Sequence, residues 1–399
     1  MINNPYNPGI PVNPRYYANQ NSLLSTFRVN VNAVTKSGGI TQPENFAIIG
    51  PWGMGKTSTL CKFEYILQNE FQDTQTFSSF VALKPANCED PDTFCACILE
   101  NLFKVYKTTM PLPKQVLDFI KDELIILDAW KLSRLSVNSP EFVRAGQKVT
   151  AINFTETMLR FWDKLNDSDI KIVVIMIDDI HYVMLKEQGD IFYNLRTDIQ
   201  TLGMAGVPFM FIISTSDILY PIIQDFAEPF TRLFDRNELS LFPIDGTMEQ
   251  IRKPLEIESI PLRISQNVIE KIHEITRGHP YFVTLIMREL LFRLPADCTV
   301  IDDFDRYIPD ALEILAVKKF DADFASTTDA EKEVLFKVAA LREDEFMPKD
   351  VGGKTTVTLL DRLIKKKLIV KTGYGKYRFY THLFGEYLLS QKVRFDRGN

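Results

Sequence analysis

An α/β fold, with an αβα sandwich on a parallel sheet followed by an α-helical lid and a winged helix-turn-helix, is predicted by three features of the 399-residue chain. Short apolar runs bounded by charge alternate with segments of helical spacing up to about residue 245. A glycine-rich loop follows the first of these runs, and an Asp-Asp pair ends a later one. Beyond Pro243 the strand signal fades, helical periods take over, and a basic two-stranded ribbon comes last.

Taken in order, Pro5, Pro8, Pro11 and Pro14 recur every third residue, which fits an extended arm over residues 1–40 better than a helix. Residues 46–49 are a strand entering the glycine loop, and 57–67 resume with helical spacing. Residues 80–83 are a second strand. A mostly helical stretch follows from 92 to about 165, with a helix at 114–126 and a polar turn at Asn138, Ser139 and Pro140. Residues 171–177 and 209–213 are continuous apolar runs, as expected of strands buried on both faces of a parallel sheet, and 238–242 is a shorter one. Strands alternating with helices in this way predict right-handed crossovers and a core domain over 41–245. Helices at 247–255, 265–276 and 280–292 make a lid over 246–325. A last domain, 326–399, has helices at 329–341 and 355–367 and strands at 368–371 and 377–380 across a Thr-Gly-Tyr-Gly turn.

Composition narrows the function classes. With 45% apolar and 25% charged residues the chain reads as an ordinary soluble globular protein. The first residues lack the basic and apolar regions of a secretory signal, and the longest apolar runs fall far short of a bilayer span, so a cytoplasmic protein without membrane contact is expected. Five cysteines form neither a disulfide ladder nor Cys-x-x-Cys knuckles, and four scattered histidines show no metal spacing. The net charge of −6 argues against a uniformly basic nucleic-acid coat. Residues 351–399 nevertheless hold eleven Lys/Arg against three acids, a net of +8, so the closing segment is suited to an anionic partner.

The chemistry is carried by Gly50-Pro51-Trp52-Gly53-Met54-Gly55-Lys56-Thr57, followed by Ser58. A Gly-x-x-x-x-Gly-Lys-Thr loop between a strand and a helix is a P-loop, whose backbone N–H groups converge on phosphates at the positive end of the helix. Lys56 would neutralise β/γ-phosphate oxygens and Thr57 would ligate Mg2+. Asp178 and Asp179 end a buried strand, where ionised groups are tolerated at the sheet's carboxyl edge beside a metal. Asp178 should hold Mg2+ through water, and Asp179 should orient the attacking water. The plainer alternatives are a glycine turn that happens to precede Lys-Thr and a solvated strand end.

Together these motifs resemble the AAA+-related P-loop ATPases, in the branch shared by archaeal-type ATPases, replication-initiator ATPases and the signal-transduction (STAND) ATPases. The resemblance rests on residues 4–12, the two Walker motifs, Arg232-Leu-Phe-Asp-Arg236 leading to Pro243, and Gly278-His-Pro-Tyr-Phe282. It implies ATP/ADP as ligand and ATPase activity. It also implies that Thr215 senses the γ-phosphate, although Thr215 equally suits a helix N-cap. Gly278, His279 and Pro280 would touch adenine, with Pro11 and Val12 flanking the base, although the chain has Asn19-Gln20 where the family shows Gly-Arg. Arg232 and Arg236 are candidate arginine fingers, against a lid-packing or surface role, and a finger implies a homo-oligomer. In the winged helix, Val357, Leu360, Leu363, Ile364 and Leu368 would face the core. Arg362, Lys365 and Lys366, with Lys376 and Arg378 on the wing, would face double-stranded DNA or, alternatively, a protein partner. The resemblance thus leaves three readings: a DNA-associated switch, a signalling ATPase and a nucleotide-binding scaffold with little turnover.

Overall fold

The computed structural model describes residues 4–398 apart from 72–74, 106–111, 136–142, 145–146, 149–151, 166–167, 187–188, 296, 309 and 354. The turn expected at Asn138 to Pro140 lies outside the described residues. The chain divides into two compact units. A sheet unit comprises Gln20–Gly50 and Lys56–Leu239, and a helical unit comprises Met1–Asn19, Pro51–Gly55 and Ser240–Asn399.

The sheet unit holds five parallel strands: β1 (Asn45–Ile49), β2 (Thr76–Ala82), β3 (Ile172–Asp178), β4 (Phe209–Thr215) and β5 (Phe234–Glu238). Their order is β2-β3-β4-β1-β5. Every residue of β3 and β4 is buried, which is why both read as unbroken apolar runs. Helices α1 (Asn21–Lys36) and α2 (Lys56–Glu70) cover one face, where Phe27 stacks on Phe63 at 4.1 Å and Phe63 lies 6.4 Å from Phe46 of β1. Helices α3 (Pro91–Lys104), α4 (Lys114–Leu135), α5 (Phe154–Leu165) and α6 (Gly189–Met204) belong to the same unit. Among them α5 packs on the other face through Phe161 against Phe77 and Trp162 against Phe209. The result is the expected αβα sandwich.

Two sequence expectations change here. Residues 21–36 are helical, so the extended N-terminal segment stops at Gln20: Leu23, Leu24, Phe27, Val31 and Val34 recur at helical spacing and are buried. Burying a ring such as Phe27 stabilises by about 2 kcal/mol, which outweighs the weak extended signal of the prolines before it. The last strand is Phe234–Glu238, not 238–242. It is an edge strand with Asp235, Arg236 and Glu238 exposed, so it has no apolar run, while the buried Leu239 and Phe242 lie beyond it.

The helical unit has its own core. Its first helices are α7 (Ile244–Ile257), α8 (Gln266–Thr276) and α9 (Pro280–Arg293). The N-terminal segment is tied to them by Tyr16 Oη donating to Glu258 at 2.6 Å, the Asn19 amide to Glu249 at 2.8 Å and Lys253 Nζ to the Tyr17 carbonyl at 2.6 Å. Further on come α10 (Asp329–Leu341), α11 (Thr356–Lys365), an antiparallel hairpin of β6 (Ile369–Gly373) and β7 (Lys376–Phe379), and α12 (His382–Gly398). Thr328 and Glu331 form a capping box that starts α10. Phe346 pairs with Tyr377 through both backbone hydrogen bonds, 2.8 and 2.9 Å, which adds a third short extended piece beside the hairpin.

Candidate nucleotide site

Because β4 lies between β1 and β3, the strand that carries Asp178 is not the neighbour of the strand that feeds the glycine loop. The carboxyl end of β4 therefore lies between them, and Ser214 and Thr215 end that strand. Side chains alternate across a sheet, so these two hydroxyls serve opposite faces. Ser214 is in register with Ile48, and its Oγ donates to Asp178 Oδ1 while accepting from the Asp179 amide at 3.0 Å. The hydroxyl that reaches Asp178 is thus that of Ser214 and not that of Thr215. Thr215 is fully buried, its Oγ1 has no hydrogen-bond partner among the described residues, and its carbonyl accepts from the Gly50 amide at 3.3 Å.

On its other oxygen Asp178 accepts from Thr57 Oγ1 at 2.7 Å. The carboxylate is 6% exposed, and burial raises its pKa above the usual carboxylate value. The Ser214 and Thr57 bonds oppose that rise by favouring the charged form. One hydroxyl and one carboxylate at hydrogen-bond distance are hard oxygen donors of the kind Mg2+ takes, with its remaining positions filled by phosphate and water. Among the described residues no cluster of three or more His, Cys, Asp or Glu side chains is gathered for a metal. Asp179 has a φ of 57°, a left-handed conformation costly for a residue with a Cβ, and its amide bond to Ser214 helps to hold it. Its carboxylate is partly exposed and lies 3.8 Å from Nδ1 of His181. Lys56, the first residue of α2, donates from Nζ to the Gly50 carbonyl at 2.9 Å. Ser58 follows one residue after Thr57 in the first turn of α2.

The loop tip, Pro51–Gly55, belongs to the helical unit. Gly53 has a φ of 77°, and a Cβ there would lie 2.7 Å from Cε1 of His279. His279 is 5% exposed, and burial lowers its pKa to about 4, so the ring is neutral near pH 7. Trp52 lies 4.4 Å from Tyr281 between ring centroids. Gly278, with a φ of 74°, is pressed against Phe242: a Cβ would lie 2.0 Å from the Phe242 carbonyl oxygen, and the Phe242 amide donates to the Gly278 carbonyl at 2.9 Å. His279 thus packs against the loop tip, Gly278 and Pro280 on either side of it are buried, and so is Met54 in the same unit. Pro11 is exposed and Val12 half-buried.

The remaining sequence candidates lie elsewhere. Register sets Arg236 level with Ala47, and Arg232 precedes the N-terminal end of β5, so the sheet does not bring them to Asp178. Arg232 pairs with Glu228, and Arg236 pairs with Glu238 and lies over Tyr220 at 5.4 Å. Among the basic residues of the closing segment, Arg362 and Lys365 are exposed. Lys366 instead donates to Glu331 at 2.6 Å and to the Ser326 carbonyl at 2.7 Å, so its charge serves a buried acid. Lys376 pairs with Glu345 at 3.5 Å, and Arg378 is half-buried and partnered. Sequence reasoning missed Ser214, Tyr281 and the Lys319 described below. Face parity within β4 was the available signal for Ser214, whereas nothing in the motifs marked the other two.

The fold and the glycine loop define a P-loop NTPase. Residues 24–205, just under half of the chain, match the KAP family P-loop domain. No curated protein sequence matches the chain. Among solved structures, the chain is similar to the Walker-type ATPase PABY2304 of Pyrococcus abyssi, at 12% identity and a TM-score of 0.57 over 94% of this chain and 96% of that one. It is also similar to the Aeropyrum pernix ORC2 protein in its ADPNP-ADP complexes, at 11% identity and a TM-score of 0.56 over 93% and 94%. At these identities the likeness is one of fold. No helix among the described residues is long and apolar enough to cross a membrane.

Proposed function

We infer that the chain binds ATP with Mg2+ and hydrolyses it slowly, as a nucleotide-operated switch. The observation that carries this reading is the Thr57–Asp178–Ser214 chain of hydrogen bonds at the end of the sheet. Thr57 and Asp178 would hold Mg2+, which supplies positive charge to the phosphate oxygens. Lys56 would leave the Gly50 carbonyl for the phosphates. Asp179, held in its left-handed conformation, would accept a proton from the attacking water. Thr215 offers a buried hydroxyl without a partner beside the first glycine, which supports a sensing role. Pro11, Val12 and Gly278 to Pro280 remain the proposed adenine contacts, and Arg232 and Arg236 could act only on the phosphates of another copy.

We read the hairpin and α11 as a winged helix that associates with duplex DNA, because Arg362 and Lys365 on α11 and Lys371 on β6 are exposed, as is Tyr374 at the hairpin tip. Lys366 and Lys376 drop out of that surface. ATP turnover with and without duplex DNA tests both halves. Turnover lost in Asp179→Asn supports hydrolysis at this site, and turnover unchanged in that variant refutes the role given to Asp179. DNA affinity should fall steeply with salt and by roughly tenfold in the Arg362→Glu, Lys365→Glu double variant. Binding indifferent to both would favour a protein partner.

A further inference from the structure

Trp52 carries a large side chain at the loop tip and is 45% exposed. Besides Tyr281, its ring meets the ammonium of Lys319, 4.9 Å from the ring centroid. The same ammonium lies 5.6 Å from the Tyr380 ring centroid and donates to Asp323 Oδ1 at 2.7 Å. The second oxygen of Asp323 accepts from Tyr380 Oη at 2.6 Å. One residue beyond β7, Tyr380 also donates its amide to the Leu368 carbonyl at 3.2 Å, which ties the two ends of the hairpin segment together. All these groups belong to the helical unit. They join the loop tip, α9, the Lys319–Asp323 segment and the base of the hairpin.

Lys319 reaches this position from a five-residue π-helix, Ala316–Phe320. A π turn inserts one extra residue and rotates the side chains that follow it, and such turns are frequent at functional sites. The preceding Lys318 lies instead by Glu289, at 3.7 Å. A partly shielded ammonium over an indole face is held more firmly than one in open water. Even so, Lys319 is divided between an aromatic face and one carboxylate, so it answers to a change in nearby charge.

We propose that Trp52, Lys319, Asp323 and Tyr380 form a latch through which the loop tip controls the base of the β6–β7 hairpin. It rests on the nucleotide reading above: phosphates on the loop bring negative charge near Lys319 and reset the backbone of Trp52. The ammonium then shifts from Asp323, and Tyr380 loses half of its anchor. The hairpin carries the exposed Tyr374 and Lys371, so nucleotide state changes how firmly that surface is presented.

Hydrogen exchange on the full chain tests this. Without nucleotide, Trp52→Ala and Lys319→Met each raise exchange of the amides at 376–381 several-fold, Lys319→Arg restores protection, and peptides from α3 are unchanged. With Mg2+ and a non-hydrolysable ATP analogue, the wild type shows a similar rise and Lys319→Met shows no further one, while analogue affinity measured separately changes less than threefold. Wild-type exchange in both nucleotide-free variants overturns the latch. So does a wild type that binds the analogue without any response at 376–381. A chain that fails to bind the analogue refutes the nucleotide reading, and the nucleotide-free variants then decide the latch alone.

Discussion

The ends of the glycine loop and its tip keep different company. Gly50, Lys56 and Thr57 belong to the sheet unit, where directional polar contacts dominate: Thr57 to Asp178, Asp178 to Ser214, Lys56 to the Gly50 carbonyl. The tip belongs to the helical unit, where steric and aromatic contacts dominate: Gly53 under His279, Trp52 beside Tyr281 and Lys319. One continuous motif therefore combines two kinds of constraint. The ends fix where charge is placed, and the tip fixes what can lie against the backbone.

If that division holds, substitutions at the ends should cost turnover and substitutions near the tip should cost stability. The largest effect is expected for Asp178→Ala, which strips Thr57 and Ser214 of their shared partner. Turnover should fall about a thousandfold, or roughly 4 kcal/mol of transition-state stabilisation, with thermal stability little changed. Ser214→Ala, which removes only one bond to that carboxylate, should cost about tenfold. Steady-state turnover beside a melting curve checks both, and a large loss of stability in either variant would break the division.

Gly278→Ala should come next and in the other currency. The new Cβ would sit 2.0 Å from the Phe242 carbonyl oxygen, a backbone atom that cannot swing away, and the φ of 74° adds strain for any residue with a Cβ. About 3 kcal/mol of stability should be lost, as read by chemical denaturation. Gly53→Ala should cost less, because its obstacle is a ring edge able to shift. A neutral result at Gly278 would mean that the backbone of Phe242 can yield.

The same division explains how far the sequence could be read. The polar ends of the loop are adjacent in sequence and announce their chemistry by residue type. The parallel sheet was equally visible, since β3 and β4 are apolar throughout. The edge strand β5 was misplaced because one strand edge and much of its surface are solvated, which removes the apolar signal. Choosing Ser214 over Thr215 required knowing which face of the sheet carries Asp178 at the end of β3. Lys366 looked like its neighbours Lys365 and Lys367, and only the tertiary placement of Glu331 separates it from them. The partners of the tip come from more than 200 residues further along the chain, and no spacing rule links Trp52 to Tyr281 or Lys319.

Acid should separate the two regions with the most specific effect. His279 beside the tip and His382 in the same unit are both lowered by burial to about 4. An unfolded histidine titrates near 6.5, so between about pH 6.5 and 4 the unfolded chain takes up protons that the folded chain refuses. The stability these residues allow is complete above pH 6.5 and declines as pH falls towards 4, by about 3 kcal/mol for each. Asp178 titrates in the opposite sense. Its raised pKa means that the folded chain binds that proton more readily than the unfolded one, so protonation costs no stability while removing the charge proposed to hold Mg2+. Turnover should therefore fail on the acid side at a higher pH than an ordinary carboxylate would set, before the fold is lost. Denaturation at pH 7, 5.5 and 4.5 should show a slope that flattens in His279→Asn, and the acid limb of turnover in that variant should stay where it is in the wild type. An acid limb that moves with His279 would show that the tip and the ends titrate as one group.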